Sequence, residues 1–281
     1  MTIENKLRDY KNELENQQLS NNTIKTYLRE ARDLENYLRG TKRDKADMIA
    51  YIEYLKALTV KDKKAGARPK YKLVTINNKI VQINKYLKFI GEEDKTLKEF
   101  KIQTTDAVES MTNNDFKRMY KQAEEKGTDR DQLMLQVLYR TGLRVSEINY
   151  FTVEAVKAGY MQVYNKGKYR IVGIPKTLSK QAKEYITKHN IKSGSIILNR
   201  NGDPLGRNYV FKRIKYLGGQ ARIKLDKVYP HSIRHLFAKN MARDKNINPL
   251  QLADILGHSS ISTTRGYTAL SIDEVKKIMY N

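Results

Sequence analysis

Residues 230 to 270 gather three of the four histidines of the chain, together with arginines and a late tyrosine. His231 and Arg234 are three positions apart in a run of helical character, so their side chains should project from one face. His258 follows a second short helix, for which Gly257 is the expected stop signal, and Tyr267 comes after a segment rich in helix-capping residues. A set of cations beside one phenol is suited to the transfer of a phosphoryl group to tyrosine.

A phosphodiester under nucleophilic attack gathers negative charge on its equatorial oxygens, and guanidinium groups bind that charge in a bidentate manner that lysine cannot match. Fixed cations can replace a metal ion, and no carboxylates cluster around any histidine of the sequence. A covalent tyrosyl intermediate would store the energy of the broken bond, so ATP is not needed. We therefore expect neither a metal nor a cofactor. An ordinary tyrosine has a pKa of about 10, so a base or a cationic field must help it ionise.

The charge of the chain indicates a polyanionic partner. Lys and Arg number 54 against 31 Asp and Glu, which gives a net charge of +23 and an isoelectric point near 9.8. Each contact to a DNA phosphate releases condensed counterions, so an excess of this size favours nucleic-acid binding. The alternative is a cationic surface that only keeps the protein soluble.

The 281 residues, 40% of them hydrophobic, suit two domains of ordinary size. Cysteine is absent, which excludes disulfides and thiolate metal sites. The sequence has no apolar run of membrane-spanning length, and its beginning does not resemble a signal peptide. We expect no membrane association and a cytoplasmic location near the nucleoid.

The first hundred residues are expected to be helical throughout. Apolar residues recur every three or four positions over 3–17, 23–38, 46–58 and 73–90, which predicts four amphipathic helices. A basic loop over 61–72 lies between the last two helices. Its cations are predicted to contact DNA phosphates, although they could simply be solvated: Lys61, Lys63, Lys64, Arg68, Lys70 and Lys72.

The second part mixes helices with short strands. The fold class expected for the whole chain is mainly α with a small antiparallel β-sheet. The predicted domains are 1–103 and 112–281, joined by a linker over 104–111. The elements predicted in the second domain are helices at 116–125, 131–139, 177–188, 206–221, from 231, at 251–256 and 272–280, a hairpin of strands at 160–164 and 169–174, and a strand at 196–198.

Five motifs occur in one order along the chain: TGLRVSE at 141–147, NKGK at 165–168, HSIRH at 231–235, LGHSS at 256–260 and TTRGY at 263–267. Together they resemble the tyrosine recombinase (integrase) family. The first hundred residues resemble the helical, SAM-like core-binding domain of that family, and the remainder resembles its α+β catalytic domain. The resemblance therefore covers nearly the whole chain.

The resemblance implies a role for each candidate residue. Tyr267 would attack a DNA phosphate to give a 3′-phosphotyrosyl bond and a free 5′-hydroxyl. Arg144 and Arg234 would hold the two non-bridging oxygens of that phosphate. Lys166 would be the general acid that protonates the leaving 5′-oxygen, although Lys168 in the same turn could deliver the proton instead.

The remaining roles concern histidines and one carboxylate. His231 would serve as an acid or base near the nucleophile, and His258 would donate a hydrogen bond to the phosphate. Glu147 would be a supporting carboxylate beside Arg144; alternatively, Arg144 is an ordinary ion-pair partner of Glu147 or Asp131. We expect His235 to be a helix-packing residue.

Two positions depart from the usual pattern of the family. Gly266 precedes Tyr267 and should loosen its helix. Ala269 stands where the family often has another histidine. Neither change removes a catalytic group.

Partners also follow from the resemblance. They are double-stranded DNA recombination sites, with a homotetramer on two duplexes and a monomer or weak dimer away from DNA. The C-terminal helix, within 271–281, would dock on a neighbouring protomer or, alternatively, pack on its own domain. Accessory proteins that bend DNA or set directionality are further candidates.

The function expected is site-specific recombination, most simply the integration and excision of a mobile element in a prokaryotic or phage context. Resolution of chromosome dimers or inversion of a DNA segment would use the same chemistry. A relaxing enzyme similar to type IB topoisomerases and a catalytically silent DNA-binding regulator are the alternatives.

Overall fold

The computed structural model describes residues 2–62, 66–102, 110–165, 167–244 and 247–257. The chain divides into two compact units, residues 1–105 and 106–281. Both are built mainly from helices, and each contains a small antiparallel sheet, so the predicted fold class is confirmed. In the described part of the chain, no helix is long and apolar enough to cross a membrane.

Four helices form the core of the first unit: α1 (Ile3–Asn16), α2 (Asn21–Tyr37), α3 (Lys45–Ala57) and α4 (Leu73–Phe89). Their bounds lie within two residues of the predicted ones. Side chains fix the first turns, since Thr2, Ser20 and Asp44 each accept a hydrogen bond from a backbone N–H of the helix that follows. The apolar faces meet in one core around Leu34 and Tyr86.

An ion pair is buried within this unit. The Glu35 side chain is 3% exposed. It accepts hydrogen bonds from Arg43 Nη1 at 2.9 Å and Nη2 at 3.0 Å, and from the Tyr86 hydroxyl at 2.7 Å. Burial raises the pKa of Tyr86 above its ordinary value, and the Glu35 carboxylate raises it further. The bidentate contact with Arg43 compensates for the burial of the Glu35 charge.

The basic segment predicted as a loop forms an antiparallel hairpin, so the prediction of a loop was wrong. Strands β1 (Thr59–Asp62) and β2 (Gly66–Pro69) pair with Val60 opposite Arg68. We call 59–72 the basic hairpin. Lys61, Arg68, Lys70 and Lys72 are exposed in it, whereas Lys63 and Lys64 lie outside the described residues. β2 is exposed along its whole length, so no buried face imposed an apolar alternation on the sequence.

The second unit is organised around α6. Its helices are α5 (Asn113–Lys126), α6 (Asp129–Thr141), α7 (Val153–Ala158), α8 (Lys176–Lys188), α9 (Arg207–Gln220), α10 (Pro230–Asp244) and α11 (Pro249–Leu256). Helix α6 packs against α5, α8 and α10. The helix is buried on most sides, since five of its apolar residues are each at most 1% exposed: Leu133, Met134, Leu135, Val137 and Leu138.

The predicted hairpin of the second unit is present, with strands β3 (Tyr160–Asn165) and β4 (Lys168–Gly173). Asn165 pairs with Lys168 across the turn, where Gly167 has a φ of +79°. Residues 196–198, in contrast, form no strand; Leu198 makes an isolated bridge to Pro204, and Ser195, just before the segment, makes another to Thr152. Ile196 and Ile197 fill the core without a partner strand, and this burial explains the misleading signal.

Candidate active site

Four of the predicted site residues lie in the described part of the second unit: Arg144, Glu147, His231 and Arg234. Two αL glycines border the site, one at the end of α6 and one at the end of α11. The other three catalytic candidates, Lys166, His258 and Tyr267, lie outside the described residues. So do residues 104–109 of the predicted linker and the C-terminal segment 258–281.

Gly142 ends α6 and starts the segment that carries Arg144 and Glu147. Its φ of +62° is in the left-handed region, where glycine carries no steric penalty. A Cβ at this position would lie 2.3 Å from the Phe237 ring on α10, so a larger residue would also clash. The chain then enters a 3₁₀ helix, Val145–Tyr150, with Arg144 as the residue that precedes its first turn.

Glu147 is the centre of the hydrogen-bond network, with its side chain 2% exposed. It accepts from Arg144 Nη1 and the Arg144 backbone N–H, each at 2.8 Å. Asn165 Nδ2 donates at 2.8 Å, and Arg170 donates through Nη1 at 3.1 Å and Nη2 at 2.6 Å. Burial raises the pKa of Glu147, but the hydrogen bonds from Arg170, Asn165 and Arg144 outweigh it and lower the pKa to about 2. The carboxylate therefore stays ionised.

Arg144 forms an ion pair with Glu147, one of the two partners considered from the sequence, and it remains in contact with solvent. Its side chain is 31% exposed, and its Nη2 donates to the carbonyl of Gly257 at 3.0 Å. The other partner considered, Asp131, is instead paired with Arg213 at 2.8 Å. An ion pair at Nη1 holds the guanidinium in place without burying it.

Arg234 is almost fully buried, at 1% exposure. Its Nη1 donates to the carbonyl of Gly142 at 2.5 Å, and its Nη2 donates to the carbonyl of Leu256. These backbone carbonyls accept from both terminal nitrogens of the buried guanidinium without neutralising its charge. Arg234 thus joins the ends of α6 and α11 and brings a fixed positive charge to the site.

His231 lies one turn before Arg234 on α10, and its ring stands edge-on to that of His235 with centroids 4.5 Å apart. Its pKa lies below the ordinary value, because partial burial and the positive charges of Arg234 and Arg144 disfavour its protonated form. A neutral imidazole can accept a proton at physiological pH. His235 packs against His231, and the remaining histidine, His189, ends α8 with its Nε2 2.7 Å from Asp129 Oδ2.

Gly257 ends α11 with a φ of +64°, and so the predicted stop signal is confirmed. Its carbonyl accepts from Arg144, and a Cβ would lie 2.9 Å from Arg170 Cδ. Two arginines therefore pack against this one turn.

Sequence reasoning missed Asn165 and Arg170. The signal that could have found Arg170 is the alternation along β4: Tyr169 and Ile171 are 78% and 66% exposed, whereas Val172 is buried. Arg170 falls on the buried face, with its side chain only 9% exposed. A charged residue on the inner face of a strand needs a buried partner, and here the partner is Glu147.

The model of the phage integrase family matches residues 109–274, more than half of the chain, and this range contains all six catalytic candidates. The chain belongs to the phage integrase family. It is 36% identical over 161 residues to the tyrosine recombinase XerD of Staphylococcus saprophyticus, an alignment that covers 54% of each protein. The chain thus spans about half the length of the curated relatives that it matches.

Solved structures of integrases share the fold. A lambda integrase (75-356) dimer bound to a COC′ core site superposes with a TM-score of 0.76 and 15% identity, covering 96% of both chains. The Tn1549 transposon integrase in complex with circular intermediate DNA gives a TM-score of 0.74 and 18% identity, covering 100% of this chain and 99% of that one. At this level of identity the likeness establishes the fold.

Proposed function

We propose that the protein is a site-specific DNA recombinase, which breaks and rejoins DNA strands through a 3′-phosphotyrosyl intermediate. The observation that carries this proposal is the arrangement of Arg144, His231 and Arg234. Carbonyl and carboxylate partners hold the two arginines, and partial burial together with the charges of these arginines lowers the pKa of His231. A fixed cationic pocket of this kind suits a phosphodiester whose charge increases in the transition state.

Each step has a residue assigned to it in the proposal. The phenolic oxygen of Tyr267 attacks the phosphorus and gives its proton to His231. The bond from phosphorus to the 5′-oxygen breaks, and Lys166 donates the proton that this oxygen takes up. Arg144 and Arg234, with His258, bind the non-bridging oxygens. Rejoining is the reverse reaction with a new 5′-hydroxyl, so the cycle consumes no ATP and requires no metal.

Exposed basic surfaces support double-stranded DNA as the substrate. In the first unit, the described cations of the basic hairpin are all exposed. In the second unit, α9 presents cations interleaved with aromatic side chains: Arg207, Tyr209, Phe211, Lys212 and Tyr216. Cations and tyrosine hydroxyls bind the phosphates and sugars of a duplex.

The proposed working form is a homotetramer on two duplexes, with a monomer or weak dimer away from DNA. The segment 271–281 would dock on the neighbouring protomer, and accessory DNA-bending or directionality proteins could join the complex. The biological role proposed is integration and excision of a mobile element. Dimer resolution and inversion use the same chemistry.

Covalent trapping tests the reaction. The protein is mixed with nicked suicide duplexes that carry the ends of its own genetic element, in EDTA, beside a Tyr267→Phe variant. An SDS-resistant protein–DNA adduct should form with the wild type alone. Tight DNA binding without any adduct would refute the enzymatic proposal and favour a DNA-binding regulator.

A further inference from the structure

The β3–β4 hairpin is attached to the site from both of its strands through one carboxylate. Asn165, the last residue of β3, and Arg170, the third residue of β4, both donate to Glu147. These two donors flank the turn that contains residue 166. Because Glu147 also holds Arg144, the turn and the phosphate-binding arginine share one anchor.

Arg170 extends the attachment to a third segment. Its Nε donates to the carbonyl of Ile255 at 3.2 Å, near the end of α11. Its Cδ packs against Gly257, whose carbonyl accepts from Arg144. A single side chain therefore contacts the hairpin's anchor and the turn that ends α11.

A two-stranded ribbon is only marginally stable by itself, and this one is held by the apolar inner face of its strands in the core and by polar contacts near its turn. Its outer face is largely exposed: the rings of Tyr164 and Tyr169 are tilted by 42° with centroids 4.6 Å apart, and the two residues are 47% and 78% exposed. The Tyr150 hydroxyl adds one hydrogen bond to the Tyr164 carbonyl at 3.1 Å. On the inner face, the polar contacts near the turn converge on Glu147.

We propose that Asn165 and Arg170 are positioning residues that fix the β3–β4 turn, and with it Lys166, relative to Arg144. This inference rests on the proposed function. In that reaction the bond between phosphorus and the 5′-oxygen breaks, and Lys166 Nζ donates the proton that the 5′-oxygen takes up. A turn that has lost its anchor misplaces this proton donor, whereas Arg144 keeps its backbone N–H bond to Glu147 and its contact with Gly257.

Two suicide duplexes separate the proton donor from the rest of the site. They are identical except that a sulfur replaces the bridging 5′-oxygen in one of them. The phosphorus–sulfur bond releases a thiolate, a much weaker base that leaves without a proton. The variants are Asn165→Ala and Arg170→Lys, and single-turnover cleavage is measured on both duplexes.

On the oxygen duplex, both variants should cleave roughly 10- to 100-fold more slowly than the wild type, the usual cost of a displaced catalytic group. On the sulfur duplex they should cleave at the wild-type rate. Lys166→Ala should show the same pattern with a larger loss, and Arg144→Lys should lose activity on both duplexes. Ile171→Ser is the matched control: it changes the neighbouring, outward-facing residue of β4 and should cleave both duplexes at the wild-type rate.

Equal losses on the two duplexes, or wild-type cleavage of the oxygen duplex by both variants, would overturn the inference. If Arg170→Lys fails to fold, Asn165→Ala decides alone, since it removes one of the five hydrogen bonds to Glu147. A wild-type protein that binds but cleaves neither duplex would refute the proposed function itself, and that result is visible without any variant.

Discussion

Glu147 should make the stability of the second unit depend on pH in a defined window. Its pKa falls from 4.5 to about 2 on folding, because the hydrogen bonds from Arg170, Asn165 and Arg144 outweigh the burial that raises it. A lowered pKa of a carboxyl group stabilises the folded state above the unfolded pKa, and this stability is lost as the pH falls through the folded pKa. The shift corresponds to about 3 kcal/mol at neutral pH, of which about 2 kcal/mol should be lost by pH 3.

The perturbation that isolates this contribution is Glu147→Gln, which keeps the shape of the side chain and removes its charge. At pH 7 the variant should be less stable by about 3 kcal/mol, since two arginines lose their buried partner. Urea titrations of the wild type and the variant between pH 7 and pH 3 measure the difference. The comparison cancels the titration of all other carboxyl groups.

The difference in unfolding free energy should stay constant from pH 7 to about pH 5 and shrink steadily below that. The measurement follows the urea unfolding transition whose midpoint the Glu147→Gln substitution shifts. A difference that stays constant down to pH 3 would refute the reasoning, because it would mean that the loss comes from packing and not from the ionised carboxylate.

Three further predictions concern a turn, an ion pair and a DNA surface. Gly142→Ala should lower the free energy of unfolding by roughly 2 kcal/mol and abolish cleavage, because the φ of residue 142 is positive and the new Cβ would clash with Phe237. An unchanged melting temperature would contradict this. Arg43→Ala should lower the free energy of unfolding, measured by urea titration, by about 3 kcal/mol, because Glu35 stays buried without its bidentate partner. A loss below half of that would mean that other groups compensate the charge of Glu35. Glutamines in place of the cations of the basic hairpin should reduce the slope of log affinity against log salt by about one per lost phosphate contact, measured by fluorescence anisotropy; an unchanged slope would exclude this surface from the interface.

Helices were predictable because their signals are local. The apolar period and the capping residues lie within the helix itself, and Gly257 ends α11 as its position in the sequence indicated. The basic hairpin was missed because its strands bury no face, so lysine and arginine occupy positions that an apolar alternation would otherwise mark. The prediction of a strand at 196–198 was wrong for the opposite reason, since burial alone produced an apolar run without a neighbouring strand.

The same difference between local and long-range contacts determines which residues of the site could be predicted. Arg144, Glu147, His231 and Arg234 could be proposed from the sequence because each belongs to a short motif. Asn165 and Arg170 bond to a carboxylate that lies 18 and 23 positions earlier in the chain, and no local pattern records such a pairing.

The charges of the site explain how a buried carboxylate fits the proposed binding of a phosphate. Among the described residues, the guanidinium groups of Arg144, Arg170 and Arg234 and the carboxylate of Glu147 together leave a net charge of two positive units. Arg170 makes the bidentate contact with Glu147, whereas Arg144 gives it one Nη and remains 31% exposed. Arg170 thus neutralises the carboxylate that positions Arg144, and Arg144 retains its charge for an anion. The pKa of His231 is lowered by its partial burial and, in addition, by the positive charges of Arg234 and Arg144.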